Sequence, residues 1–90
     1  MARIKYFENE KIAIYIYGEK NERHHEKHLL VLKRDEECQY GFDGMPIKNS
    51  PALRKKSERE LVAQWILEHQ AQLEKAWEDV NNGIKPGFID

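Results

Sequence analysis

The sequence predicts an α+β domain in which a three- to four-stranded antiparallel meander packs on one long C-terminal helix. Three observations predict it. Ile12, Ile14 and Ile16 alternate with Ala13, Tyr15 and Tyr17, the period of a strand with one buried face. Two further strand-like stretches follow, HLLVLK from His28 and the alternating Cys38, Tyr40 and Phe42. From Leu61 onward the apolar residues return at helical spacing, with Val62, Trp65, Ile66, His69, Leu73, Ala76, Trp77 and Val80 on one broad stripe.

Taken in order, Ile4 to Phe7 forms a first short strand and Asn9-Glu10 a turn. The isoleucine strand comes next, and its tyrosine face is amphipathic. Residues 19–27 are polar and form a long hairpin loop. Arg34 to Glu37 is a charged turn, and Asp43-Gly44 is a turn signal. Met45-Pro46-Ile47 is an edge piece, since proline lacks the donor a central strand needs. Ser50-Pro51 opens a turn of helix with Ser50 as cap. Ser57-Glu58-Arg59-Glu60 is a capping-box pattern, so the main helix is expected from about Glu58 to Asn81. Asn82-Gly83 stops it and Pro86 forbids its continuation. Such a helix is about 36 Å long. A domain of this size is about 30 Å across, which leaves the last turns and Trp77 overhanging. The expected core is Ile12, Ile14, Ile16, Leu30, Leu32, Val62, Trp65, Ile66, His69, Leu73 and Ala76.

Ninety residues make one domain: a strand-rich half (1–47), a helical half (50–83) and a tail (84–90). Fifteen Lys and Arg face sixteen Asp and Glu, for a net charge of -1. That balance excludes a binder that holds nucleic acid by overall charge, though not one with a local basic patch. The single cysteine, Cys38, excludes an internal disulfide and a cysteine zinc cluster, and favours a reducing cytoplasm. Nothing reads as a signal peptide or a membrane span.

His24, His25 and His28 fall within five positions, with Glu22 and Glu26 between and beside them. Imidazoles at this density suit proton transfer or a transition metal, but in an extended segment His25 and His28 point apart, as in a plain solvated loop. His69 sits mid-stripe between Trp65 and Leu73, as a core histidine with a hydrogen-bond partner or as the second half of a site with His28. Arg54, Lys55, Lys56 and Arg59 form the basic cluster, placed at a helix N-terminus where a phosphate would be held. Tyr15 and Tyr17 are candidates for base stacking or partner contact. Cys38 has no activating neighbour and is read as a small core residue.

The pattern Leu61-Val62-x-x-Trp65-x-x-x-His69-x-x-x-Leu73-x-x-x-Trp77, after Met45-Pro46 and a basic stretch, resembles a small bacterial family, domain of unknown function 4160. The strand Ile12-Ala13-Ile14-Tyr15-Ile16-Tyr17 is similar to that family's early strand. The family follows it with a His-x-Pro-Pro-His-aromatic-His run. Here His24 and His28 match the first two histidines, Glu26 and Lys27 replace the prolines, and Leu30 replaces the third histidine. The resemblance implies a bacterial or phage origin and a place in two-gene, toxin–antitoxin-like cassettes, beside a domain of unknown function numbered 2442.

Three functions are therefore weighed. The first is a regulatory or toxin-like protein without catalysis that binds a small cognate protein through Trp77, Tyr15, Tyr17 and an open sheet edge. The second is an RNA-binding or ribonuclease module, with His24, His25, His28 or His69 moving protons and Arg54, Lys55, Lys56 and Arg59 holding phosphate. The third is a metal-binding protein using His24, His25 and His28. The first calls for no cofactor and no membrane.

Overall fold

The structure is a computed structural model and describes residues 2–17 and 27–89. Strands β1 (Ala2–Phe7), β2 (Ile12–Ile16), β3 (His28–Lys33) and β4 (Glu36–Gly41) form one antiparallel sheet in the order β1-β2-β3-β4. Helices α1 (Lys56–Glu68) and α2 (Gln70–Asn81) follow. The expected class and the meander are both present. The β3–β4 turn is tighter than the charge run suggested. Lys33 pairs with Glu36, so Arg34 and Asp35 alone make the loop, and Glu36 and Glu37 belong to β4. Arg34 accepts a φ of 49° there, in a position glycine usually fills.

Paired residues share a face of the sheet, so register decides the core. Ile14 lies opposite Val31, and Val31 opposite Cys38. Ile12, Ile14, Ile16, Leu29, Val31, Cys38 and Tyr40 therefore meet Val62, Trp65, Ile66, Leu73 and Ala76 of the helices. Leu30 is buried as expected and Leu32 only half-buried, but both lie on the other face, opposite Tyr15 and Ala13 respectively. In HLLVLK both parities are apolar, so alternation cannot choose between them. The flanking lysines can. Lys27 and Lys33 share the parity of Leu29 and Val31 and pair with Glu74 of α2 and Glu58 of α1.

The single long helix is also corrected. It breaks at His69, whose backbone sits at φ -123° and ψ 26°. The His69 Nδ1–H donates to the Trp65 carbonyl at 2.7 Å, the acceptor that its own backbone N–H would take in a continuous helix. That N–H turns to the Ile66 carbonyl at 3.2 Å instead. The imidazole thus stands in for a peptide, and α2 leaves in a new direction within overall dimensions of 34 × 28 × 22 Å. At the start, α1 begins at Lys56 rather than at the capping box, and its cap residue Lys55 makes no side-chain cap bond. Glu58 is drawn away to Lys33.

The segment between β4 and α1 seals one sheet edge. Pro46 bridges to Tyr40, the Gly41 N–H donates to the Met45 carbonyl (2.8 Å), and the Ile47 N–H donates to the Gln39 carbonyl (2.9 Å). No helical turn opens at Ser50. Its Oγ instead accepts from the Gln39 N–H at 2.7 Å. Gly83, at φ 76°, ends α2 as the left-handed glycine expected there. The chain then returns to β1: Pro86 is buried, Ile89 packs on the core, and the Ile89 N–H donates to the Ile4 carbonyl at 2.7 Å.

Candidate functional site

Of the histidine cluster, His24 and His25 lie outside the described residues, as do Glu22 and Glu26. His28 opens β3 and is buried at 7 % exposure. Its Nε2 shares a 2.7 Å hydrogen bond with Tyr17 Oη, and the two rings meet edge to face at 5.2 Å. Trp77 of α2 stands 6.3 Å from the imidazole and 6.1 Å from Phe42. This corrects the overhanging Trp77: the helix break swings it inward, half-buried against the core. Tyr17, His28, Phe42 and Trp77 form an aromatic cluster at one end of the sheet. A Tyr–His hydrogen bond is chemically able to relay a proton.

His69 is not in the core. It is partly exposed, stacked on Trp65 at 4.8 Å and held by the Trp65 carbonyl. His28 and His69 are thus held by different partners. A carbonyl can only accept, so His69 carries its proton on Nδ1.

The basic cluster lies at the far end of β3. Arg54 binds Asp35 (3.1 Å) and Glu36 (3.7 Å), tying the β3–β4 turn to the approach to α1. The Arg54 guanidinium beside Asp35 holds that carboxyl below the usual aspartate range, and the carboxylates raise the guanidinium in turn. Arg59 Nη1 donates to the carbonyls of Leu53 (2.7 Å) and Arg54 (2.8 Å). Lys56 lies 4.0 Å from Glu60. Lys55 borders an open cleft with Lys11, Lys33, Arg34, Asp35, Glu36 and Glu58, where both signs of charge mix. Three of the four cations are thus engaged within the chain. Five steps along β3 from His28 to Lys33, at ~3.3 Å each, keep this end roughly 17 Å from His28.

Cys38 is 1 % exposed, and burial pushes its thiol up, away from the reactive thiolate. Tyr40 is raised for the same reason, its hydroxyl oxygen accepting from the Leu53 N–H at 3.3 Å. Among the described residues, no group of three His, Cys, Asp or Glu side chains converges as a metal site would require.

The remaining surface is the sheet face turned away from the helices. Register places Arg3 beside Tyr15 and Tyr6 beside Ala13, with Leu30 and Leu32 next on β3 and Glu37 and Gln39 on β4. Tyr15 and Leu32 are half-buried, and Ala13 and Leu30 are nearly covered by their neighbours. The Arg3 guanidinium lies 5.3 Å from the Tyr6 ring and 5.7 Å from the Phe88 ring. Sequence reading missed this group. The parity of Tyr6 against Ile4 carries only a weak signal, because the register shifts between Arg3 and Lys5. Nor are the sheet edges open as expected, since residues 45–50 cover β4 and the tail touches β1.

A two-layer α+β module with one sheet face covered by helices and the other, among the described residues, free of them is the class these features define. The chain belongs to the family of the domain of unknown function DUF4160, whose family model matches residues 12–78. No curated protein and no solved structure matches it. No helix of the described residues is long and apolar enough to cross a membrane.

Proposed function

We propose that the chain is a protein-binding partner, of the regulatory or toxin–antitoxin-like kind found in small bacterial and phage cassettes, and that it meets its cognate protein with the bare sheet face. The observation that carries this reading is the make-up of that face. Tyr6 and Tyr15 flank a small apolar floor of Ala13, Leu30 and Leu32, with Arg3 at the rim. Tyrosine and arginine are the residues enriched where binding energy concentrates. The ribonuclease reading needs a proton-transfer group and phosphate-holding cations in one place. His28 and the Arg54–Arg59 cluster instead stand at opposite ends of β3, and Arg54, Lys56 and Arg59 already have partners.

Co-expression with the product of the adjacent gene tests the proposal. The wild-type chain is expected to co-purify with it at fixed stoichiometry. Tyr15→Ser should reduce the complex by about 30-fold in affinity, the scale of a hot-spot loss. Undiminished binding by both Tyr15→Ser and Leu32→Ser overturns it.

A further inference from the structure

The two covered sheet edges are covered differently. On β4, residues 45–50 are tied by the Gly41–Met45, Ile47–Gln39 and Gln39–Ser50 bonds and by the Tyr40–Pro46 bridge. On β1, residues 84–89 have no regular structure, and among the described residues the hydrogen bond that joins them to the strand is Ile89 N–H to the Ile4 carbonyl. The segment leaves α2 through Gly83, and its residues 86–89 form one wall of a shallow cleft whose other wall is Gln72, Lys75, Ala76 and Asp79 of α2. Pro86 and Ile89 are its inward anchors, while Lys85, Gly87 and Phe88 are exposed. Ile4, its acceptor, sits where the β1 register shifts, so the backbone is locally displaced from its β2 partner. Both β1 and this segment lie outside residues 12–78, the part the family model matches.

We infer that residues 84–89 are an exchangeable strap, and that the β1 edge accepts an extended segment of a protein partner by strand addition. The strap shows the chemistry of the occupant. It must offer a backbone N–H to the Ile4 carbonyl, a branched aliphatic side chain at the Ile89 position, and a proline three residues earlier. Strand addition of this sort takes affinity from main-chain bonds and selectivity from alternate side chains. The inference rests on the protein-binding reading and adds a second contact next to the Arg3–Tyr6–Phe88 group.

A labelled peptide with the sequence of residues 83–90, added to the full-length chain and followed by fluorescence polarisation, tests the exchange without any partner. In the wild-type chain the Ile4 carbonyl already accepts from the strap's own Ile89 N–H. Full-length Ile89→Asp, with that strap displaced, should bind the peptide at least about tenfold more tightly. A peptide with proline in place of Ile89 has no N–H to offer and should not bind. Full-length Ile89→Pro, which removes that donor while keeping an apolar side chain, gives the same comparison should an aspartate at this position disturb the core. Equal affinity of wild-type and variant chains, equal binding of the two peptides, or no binding to any chain overturns the strap. None of those results touches the bare-face reading, which the adjacent-gene complex tests separately.

Discussion

Ile14 and Tyr15 are neighbours in β2, and the sheet sends them to opposite surroundings. Ile14 is fully buried, facing Val31 across the strands and the helices above. Tyr15 faces Leu30 on the side that neither helix covers and stays half-buried. One face does the work of folding. The other carries Tyr15 and Leu32 only half-buried, outside the core beneath the helices. Apolar area left half out of water in a chain this small is a cost, and under the proposed function contact with a partner protein offsets it.

Substitutions on the two faces should separate along this line. Ile14→Ala is expected to cost about 2–5 kcal/mol, the range of large-to-small changes in a tight core, and to lower Tm steeply in calorimetry. A loss under 1 kcal/mol would mean that the helices do not clamp this face. Glu58→Ala comes next, at about 1–3 kcal/mol by denaturant titration, because it strands Lys33 beside α1. His69→Ala should cost about 1 kcal/mol, leaving the Trp65 carbonyl unbonded at the helix junction. Helicity by circular dichroism that rises in this variant would show that the imidazole forces the break.

The smallest effect concerns pH. The Asp35 carboxyl titrates below its unfolded value, chiefly through its hydrogen bond to Arg54. Its contribution is therefore complete above the ordinary aspartate range of about 3.9 and is lost as pH falls through the lowered folded value. The group is fully exposed, so the effect is small. The Tm difference between wild type and Asp35→Asn should shrink in acid. A difference that grows there would contradict the pairing.

The legible parts of the fold were those where one physical signal had no rival. The alternation of Ile12, Ile14 and Ile16 fixed a strand and its buried face, and Gly83 fixed a helix end. Legibility failed where two signals competed. HLLVLK is apolar on both parities, so its inward face depended on lysines reaching helices far along the chain. The apolar stripe from Leu61 to Val80 continues across His69, because one non-helical residue barely rotates a stripe that wide. The basic cluster looked like a phosphate site because its carboxylate partners, Asp35 and Glu36, precede it by some twenty residues and meet it only through the β3–β4 turn. On the helix-free face, Tyr15 was legible from the alternation of β2, while Tyr6, Leu30 and Leu32 were placed beside it only by register.

Under the proposed function, the helix-free face is the binding face. The most direct measurement is calorimetric titration of the adjacent gene's product into wild type, Tyr15→Ser and Leu67→Ser. Leu67 is a large hydrophobic on α1 that is 54 % exposed, and it serves as the control on the helical side. Tyr15→Ser should weaken binding about 30-fold with Tm nearly unchanged, and Leu67→Ser should bind as wild type. Loss of binding in Leu67→Ser with Tyr15→Ser unaffected would move the interface to the helices and contradict the proposed function.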